Sequence, residues 1–242
     1  MEPTILFEND HILAVNKPSG MLVHTDGRAT EKTLSDWFVS RYPQAKDVGE
    51  PMETSTGALL PRPGVVHRLD KDTSGVVLLA KDQETFLFLK DAFKNREIRK
   101  VYNTFVSGSV KDDRGVITRP IGKSKKDPRR YSAQRGARGA IRDAITQYRV
   151  IERGAGATYL EVRPKTGRTH QIRVHMKALN HPVVCDSLYA PDEPARLGFK
   201  RLALHAREIS FLDQEGNEHT IEAPLPDDFL FAAKEIATPN QS

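Results

Sequence analysis

The chain has 242 residues, 38% of them hydrophobic and 29% charged, with a formal net charge of +5 and a pI near 9.3. This is ordinary globular composition with enough length to bury a sizeable core, which excludes pervasive disorder. The longest clear apolar run, residues 76–80, is too short to cross a bilayer, the start MEPTILFEND lacks a signal-peptide pattern, and the single Cys185 makes neither an internal disulfide nor a zinc set; a soluble, cytoplasmic, metal-free protein is expected.

In chain order, TILFENDHILAVNKPSG (residues 4–20) reads as two short strands joined by a Glu-Asn-Asp turn and closed by Lys-Pro-Ser-Gly. TLSDWFVSRYP has Leu34, Trp37, Phe38 and Tyr42 at helical spacing, and Pro43 ends it. Residues 44–64 are rich in Pro, Gly, Ser and Thr without periodicity and read as a long surface loop. In VVHRLDKDTSGVVLLAKD (residues 65–82), charge crowds between two apolar runs. Alternation places Val66, Arg68 and Asp70 on one face if the first run stays extended, and Asp72-Thr-Ser-Gly75 has turn chemistry. Turn chemistry explains Asp72 but not Asp70, which is either a backbone cap or a carboxylate held in a cleft for chemistry.

An amphipathic helix follows over residues 82–97, with Phe86, Leu89 and Phe93 on one face, and RKVYNTFVSGSV alternates like a strand. An extended piece over 115–121 leads into residues 123–142, which hold eight Lys/Arg and one Asp, a local +7 that leaves the rest of the chain net negative. Such a basic loop suits a polyanion through phosphate contacts, or is simply solvated. AITQYRVIERGAGATYLEVRP reads as a hairpin turning at Gly154-Ala-Gly156. GRTHQIRVHMKALNH reads as a short helix capped by Thr169 with Ile172, Met176 and Leu179 inward, and RLALHAREISFLDQEGNEHTIEAP as a second hairpin. The tail over 233–242 is expected to be flexible. Strands and helices interleave without regular strand-helix-strand alternation, so the expected fold is a single α+β domain over 1–242: a mixed, largely antiparallel sheet with flanking helices and loops.

Several fragments imitate other motifs. GKS at residues 122–124 lacks the earlier glycine of a phosphate loop, since position 117 is Ile; GAGATY lacks the third dinucleotide glycine; His170 and His175 stand five apart, the wrong spacing for a helical metal pair. No Gly-x-Ser-x-Gly elbow is present.

HRLDKDTSGVVLLAKD closely resembles the signature of the RluA family of RNA pseudouridine synthases. Further segments resemble the family in the same order: NKPSGMLVH (16–24), REIRKVYNTFVSG (96–108), PKTGRTHQIRVHM (164–176) and RLALHA (201–206). The resemblance spans roughly residues 5–225 and implies the pseudouridine synthase catalytic fold and an isomerase, without metal or small-molecule cofactor, acting on structured rRNA or tRNA. A uridine is flipped into a pocket, its N1–C1′ bond breaks, the base turns, and C5 joins C1′. By that resemblance Asp70 is the catalytic carboxylate, attacking C1′ or removing a C2′ proton. Arg173 pairs with it, Tyr102 meets the flipped base, and Arg68 fills the vacated stack. Lys165, Arg168, His170 and Gln171 are expected at RNA, as are Lys125, Lys126, Arg129 and Arg130 of the basic loop. Without the resemblance, Tyr102 reads better as a core residue, and His170, Arg173 and Lys177 as a solvated basic stripe. Many relatives carry a small N-terminal S4-type domain, whereas Ile5 here already starts the catalytic sheet, so substrate choice is expected to rest on the 44–64 and 123–142 loops of a monomer. The rival expectation is a non-catalytic RNA-binding or ribosome-assembly factor on the same scaffold; a hydrolase is disfavoured because no second carboxylate with a defined partner accompanies Asp70.

Overall fold

The computed structural model describes residues 2–25, 27, 31–54, 57–133 and 137–237. The expected first hairpin is β1 (Thr4–Glu8) and β2 (Ile12–Lys17), paired antiparallel. Helix α1 (Leu34–Arg41) starts on a reciprocal cap, in which the Thr33 hydroxyl accepts from the Asp36 N–H while the Thr33 N–H donates to the Asp36 carboxylate. Pro43 ends it in a 3-10 turn, Pro43–Ala45. The long loop expected over 44–64 carries a minimal hairpin, β3 (Met52–Glu53) with β4 (Leu59–Leu60). Strand β5 (Ser74–Ala80) is buried at every position, and α2 (Gln83–Asn95) is capped by Asp82, which accepts from the Thr85 N–H.

Next come β6 (Arg99–Ser107), β7 (Arg114–Ile117), β8 (Ile121–Ser124), β9 (Tyr131–Ser132), β10 (Ala137–Arg142), β11 (Thr146–Gly154) and β12 (Ala157–Pro164). Helix α3 (Gln171–Ala178), β13 (Leu204–Leu212), β14 (Glu218–Glu222) and α4 (Asp227–Ala237) complete the described chain. The pairs β1–β2, β2–β5, β6–β12, β11–β12 and β13–β14 are antiparallel, in the largely antiparallel α+β architecture expected. The β11–β12 hairpin turns where expected, with Ala155 at φ 47° and Gly156 at φ 68°, both in the left-handed region that matches strand twist in a two-residue turn.

The chain divides into two compact units, one of residues up to Arg99 with Ala206–Ala223, the other of Lys100–His205 with the residues from Pro224 onward. In the first, the strand order is β1-β2-β5-β13, with β14 paired to β13. Strand β5 lies inside this order and carries neighbours on both edges, which is why it reads as an unbroken apolar run rather than an alternation. Gly75 at its start has φ 115°, and a Cβ there would fall 2.2 Å from the Ala206 carbonyl oxygen, so no other residue fits.

In the second unit the order is β6-β12-β11-β7, and α3 and α4 both pack on β11 and β12. Its core is aromatic: Phe105 stacks on Tyr159 at 4.3 Å between centroids and meets Phe199 and Phe229 at 5.2 and 5.6 Å.

Three expectations change. The basic loop over 123–142 is largely a three-stranded sheet, ordered β10-β8-β9, seated through Ile121 and Tyr131 on Val174 and Tyr189; its residues 134–136 lie outside the described set. The tail is helical as far as Ala237 rather than flexible from 233, because Phe229, Ala232 and Ile236 form a buried stripe; residues 238–242 lie outside the described set. The condition under which Val66, Arg68 and Asp70 would share a face is not met: Val65 makes one bridge to Leu79, and the segment then turns, with Leu69 buried and Arg68 exposed.

Candidate active site

In the first unit, the segment around Asp70 is suspended by its own main chain. The Asp70 carbonyl accepts from the Thr73 N–H at 3.2 Å, the Lys71 carbonyl from the Gly20 N–H at 2.9 Å, and the Asp72 carbonyl from Ser19 Oγ at 2.7 Å. Lys17, with no exposed surface, donates from Nζ to the carbonyls of Pro18, Met21 and Lys71 at 2.9, 2.9 and 3.0 Å. A buried ammonium thus joins the 18–21 turn to the residue after Asp70, its lost hydration replaced by three carbonyl dipoles. The expectation that the Asp72 side chain makes the turn is corrected: Asp72 is exposed, and its carbonyl is the group held.

The flanking residues divide between fixing and presenting. His67 stacks on Phe93 at 4.5 Å, and its Nε2 accepts the Leu78 N–H at 2.9 Å, which pins the loop to β5 and α2. Leu69 is buried, so its neighbours Arg68 and Asp70 turn outward, exposed and half-buried. Arg68 Nη1 donates to Nε2 of the buried His24 at 3.2 Å, and His24 Nδ1 donates to the Thr25 carbonyl at 2.8 Å, so His24 offers Arg68 a lone pair. The His24 loop is itself fixed, since the carbonyls of Leu22 and Val23 accept the Leu34 and Ser35 N–H groups at the start of α1.

In the second unit, β6 carries Lys100 and Tyr102, both half-buried. Burial pushes the Lys100 ammonium below its ordinary pKa. A methyl group on Gly167 would lie 3.9 Å from Lys100 Nζ, so this lysine borders the loop that leads to α3. Arg173 and Asp186 are almost wholly buried and form a two-point pair: Arg173 Nε and Nη2 donate to the two Asp186 oxygens at 2.8 and 2.7 Å. Asp186 Oδ1 also accepts the N–H groups of Leu188 and Tyr189. The basic stripe expected on α3 is therefore no uniform solvated face, for Arg173 is buried and Lys177 exposed.

Two expectations about α3 change. Its cap is His170 at φ 55° rather than Thr169, which is exposed. Gln171, expected at RNA, is buried with its amide engaged within the protein: its Oε1 accepts from the Thr166 hydroxyl and the Arg168 N–H, and its Nε2 donates to the Ile145 carbonyl and the Thr146 hydroxyl. A buried amide must satisfy both ends, and here the neighbours that do so are all protein. Arg168 is half-buried with Nε on the Asp143 carbonyl, Lys165 is exposed, and His170 Nδ1 lies 2.8 Å from the Tyr189 hydroxyl.

On the basic sheet, Lys125 and Lys126 are exposed, whereas Arg129 and Arg130 both stand against Asp127. Hydrogen bonds from Arg129 pull the Asp127 carboxyl down to about 2. The sequence signals missed Lys17, His24, Asp186 and Tyr189. His24 lies at the end of NKPSGMLVH, but the partners of the other three are remote in sequence or main-chain atoms, which residue spacing does not reveal. Among the described residues no cluster of three His, Cys, Asp or Glu could hold a metal ion, and no helix is long and apolar enough to cross a membrane.

Known proteins share this sequence pattern and this antiparallel α+β fold. The sequence model of the family described as RNA pseudouridylate synthase matches residues 11–178. A ribosomal large subunit pseudouridine synthase D of Xanthomonas campestris is 38% identical over 93% of this chain and 66% of its own length. The uncharacterised RNA pseudouridine synthase YlyB of Bacillus subtilis is 35% identical over 94% of this chain and 71% of its own length. The solved structure of human RNA pseudouridylate synthase domain containing 4 superposes with a TM-score of 0.74 at 24% identity, over 98% of this chain and 95% of that one, a likeness of fold. The chain belongs to the RNA pseudouridylate synthase family, whose members are isomerases. It spans about two thirds of the length of the curated relatives it matches.

Proposed function

We propose that this protein isomerises uridine to pseudouridine in RNA, with Asp70 as the carboxylate that acts at the sugar. The observation that carries the reading is the suspension of residues 70–72 on Lys17, Ser19, Gly20 and Thr73, which holds the Asp70 main chain at a fixed place while its carboxylate stays half-buried. A reaction in which one group must meet one carbon of a flipped nucleotide gains most from such positioning.

In this reading Arg68, exposed and steadied by His24, enters the base stack when the uridine leaves it. Its planar guanidinium can stack and bond phosphate at once. Asp70 either attacks C1′ or takes a C2′ proton as the N1–C1′ bond breaks. The base then turns, C5 bonds to C1′, and the C5 proton is released while N1 gains one, so that the product is an isomer of the substrate. Tyr102 faces the base, and Arg173, oriented by Asp186, stabilises the reacting carboxylate in its charged form. Lys125, Lys126, Arg129, Arg130, Lys165, Arg168 and His170 contact the RNA backbone. Large-subunit ribosomal RNA is the first substrate to try, since several relatives are named for it. The protein acts as a monomer in the cytoplasm.

The test uses unmodified bacterial large-subunit rRNA transcribed with [5-3H]uridine, because forming the C5–C1′ bond releases the C5 hydrogen to water. Wild type should release tritium, and Asp70→Asn should release none while binding the same transcript within about threefold. Turnover by Asp70→Asn would refute the role of Asp70. Tight RNA binding with no release by wild type, from rRNA or from tRNA transcripts, would favour the non-catalytic binding factor.

A further inference from the structure

Tyr189 is a buried tyrosine in the second unit that the proposed chemistry does not use, and five separate interactions meet on it. Its hydroxyl oxygen accepts the main-chain N–H of Tyr131, the first residue of β9, at 2.9 Å. The same hydroxyl is hydrogen-bonded to His170 Nδ1 at 2.8 Å. Its ring lies under the Arg173 guanidinium, 5.1 Å from Cζ to centroid, within range of a cation–π contact. Its N–H donates to Asp186 Oδ1, the oxygen that also holds Arg173 Nη2, and its ring meets His170 edge-on at 5.6 Å.

We propose that Tyr189 is a positioning residue for the isomerisation: its hydroxyl fastens the basic three-stranded sheet to the first turn of α3, and its ring holds Arg173, so that RNA bound on that sheet is held in register with Arg173. The inference rests on the reading of the protein as an RNA pseudouridine synthase that uses Arg173.

The strain at His170 fits this joint. A residue with a side chain occupies the left-handed region at φ 55° only where its surroundings over-determine it. Here the Tyr189 hydroxyl holds the ring, and the Val174 N–H holds the carbonyl. Arg119, two residues before β8, bonds the far part of α3 through Ala178 and His175, but among the described residues the contacts of the strands themselves with α3 beyond this joint are mainly apolar or aromatic, through Ile121, Tyr131 and Val174, and such contacts fix position less directionally than a hydrogen bond. The hydroxyl is therefore the directional element on the β9 side of the joint, and the ring the support of the cation.

Two variants separate these tasks. Tyr189→Phe keeps the ring and removes the hydroxyl. Amide hydrogen exchange of the free protein should then quicken at Tyr131 and its β8 and β9 neighbours by about fivefold or more, the weight of one hydrogen bond, while β6 and β12 stay protected. In the tritium-release assay on the large-subunit rRNA transcript, its KM should rise about fivefold with kcat within twofold. Tyr189→Leu removes both tasks, and kcat should fall tenfold or more in addition. Exchange and KM of Tyr189→Phe equal to wild type would overturn the inference while leaving the proposed function standing. So would a purely structural result, in which both variants lower the melting temperature and the active fraction but leave KM and kcat per active site unchanged. No tritium release by wild type, from rRNA or from tRNA transcripts, would overturn both together.

Discussion

Replacing Lys17 by Met tests whether the main-chain suspension beside Asp70 is what makes that aspartate effective. Met has nearly the length of Lys and no charge, so it fills the same buried space and removes the three donor contacts to the carbonyls of Pro18, Met21 and Lys71. The Lys71 carbonyl keeps the Gly20 N–H, but those of Pro18 and Met21 lose this donor. Two part-buried acceptors stripped of this donor cost at most about 2–6 kcal/mol together. Part of this is returned because no ammonium need then be desolvated, which leaves a net loss of about 2–4 kcal/mol. In a chain of 242 residues that corresponds to a fall in melting temperature on the order of 5–15 °C. Differential scanning calorimetry measures this part. The tritium-release assay, run well below the lowered transition, measures the rest: kcat should drop at least tenfold although no proposed catalytic side chain has changed. Lys17→Arg should fail similarly, because a planar fork cannot aim donors at three carbonyls around one point. A Lys17→Met protein that melts within a degree of wild type and turns over at full rate would refute the reasoning, and the loop would then owe its shape to Ser19, Gly20 and Leu69 alone.

Two further outcomes follow from the second unit. Lys125→Glu with Lys126→Glu should weaken binding to the rRNA transcript and lower the slope of log affinity against log salt by about 1.4–1.8, the share of two phosphate contacts. Arg129→Glu should cost less, because Asp127 already engages that guanidinium; equal losses measured by fluorescence anisotropy would contradict the distinction. Burial lowers the pKa of His175 in the folded chain from its ordinary 6.5, so just below that pH the unfolded chain binds a proton that the folded chain refuses. Stability should therefore fall as the pH drops below about 6.5, and urea denaturation of His175→Asn should show a shallower dependence over the same range. Identical slopes would remove His175 as the cause.

The hairpins, α1, α2 and β5 were legible because their signals are local. Period-two alternation, the Thr33 cap, the apolar spacing of Phe86 and Leu89 and the glycine at 156 each act within a few residues. Helix α4 was legible in principle, since Pro226, two aspartates and the Phe229, Ala232, Ile236 stripe form a start signal with a buried face. Whether the first apolar run stays extended through 66–70 was not legible, because Arg68 and Asp70 alternate correctly while Leu69 and the Thr73-to-Asp70 hydrogen bond enforce a turn. Gln171 shows another limit. A glutamine among basic residues looks like an RNA contact, and only its distance from Thr146 and Ile145, folded to 2.9 and 3.0 Å, shows that it is consumed internally. The resemblance could name Asp70 and Arg68 but not Lys17 or Asp186, whose work is done through other groups.

The way the chain threads its two units has a consequence for synthesis. The first unit needs Ala206–Ala223, made only after nearly all of the second, and the second needs Phe229 of α4 to fill its aromatic core. No single cut of the chain yields either unit whole. On the ribosome, β5 must wait more than a hundred residues for β13, and the second core waits almost as long from Phe105 to Phe229. Such non-local closure favours slow, late, concerted folding over a vectorial course in which one half is finished before the other begins. A nascent chain stalled short of β13 would leave the largely apolar β5 with an unpaired edge, which makes the stretch before residue 206 the interval in which this protein most needs a chaperone's shelter.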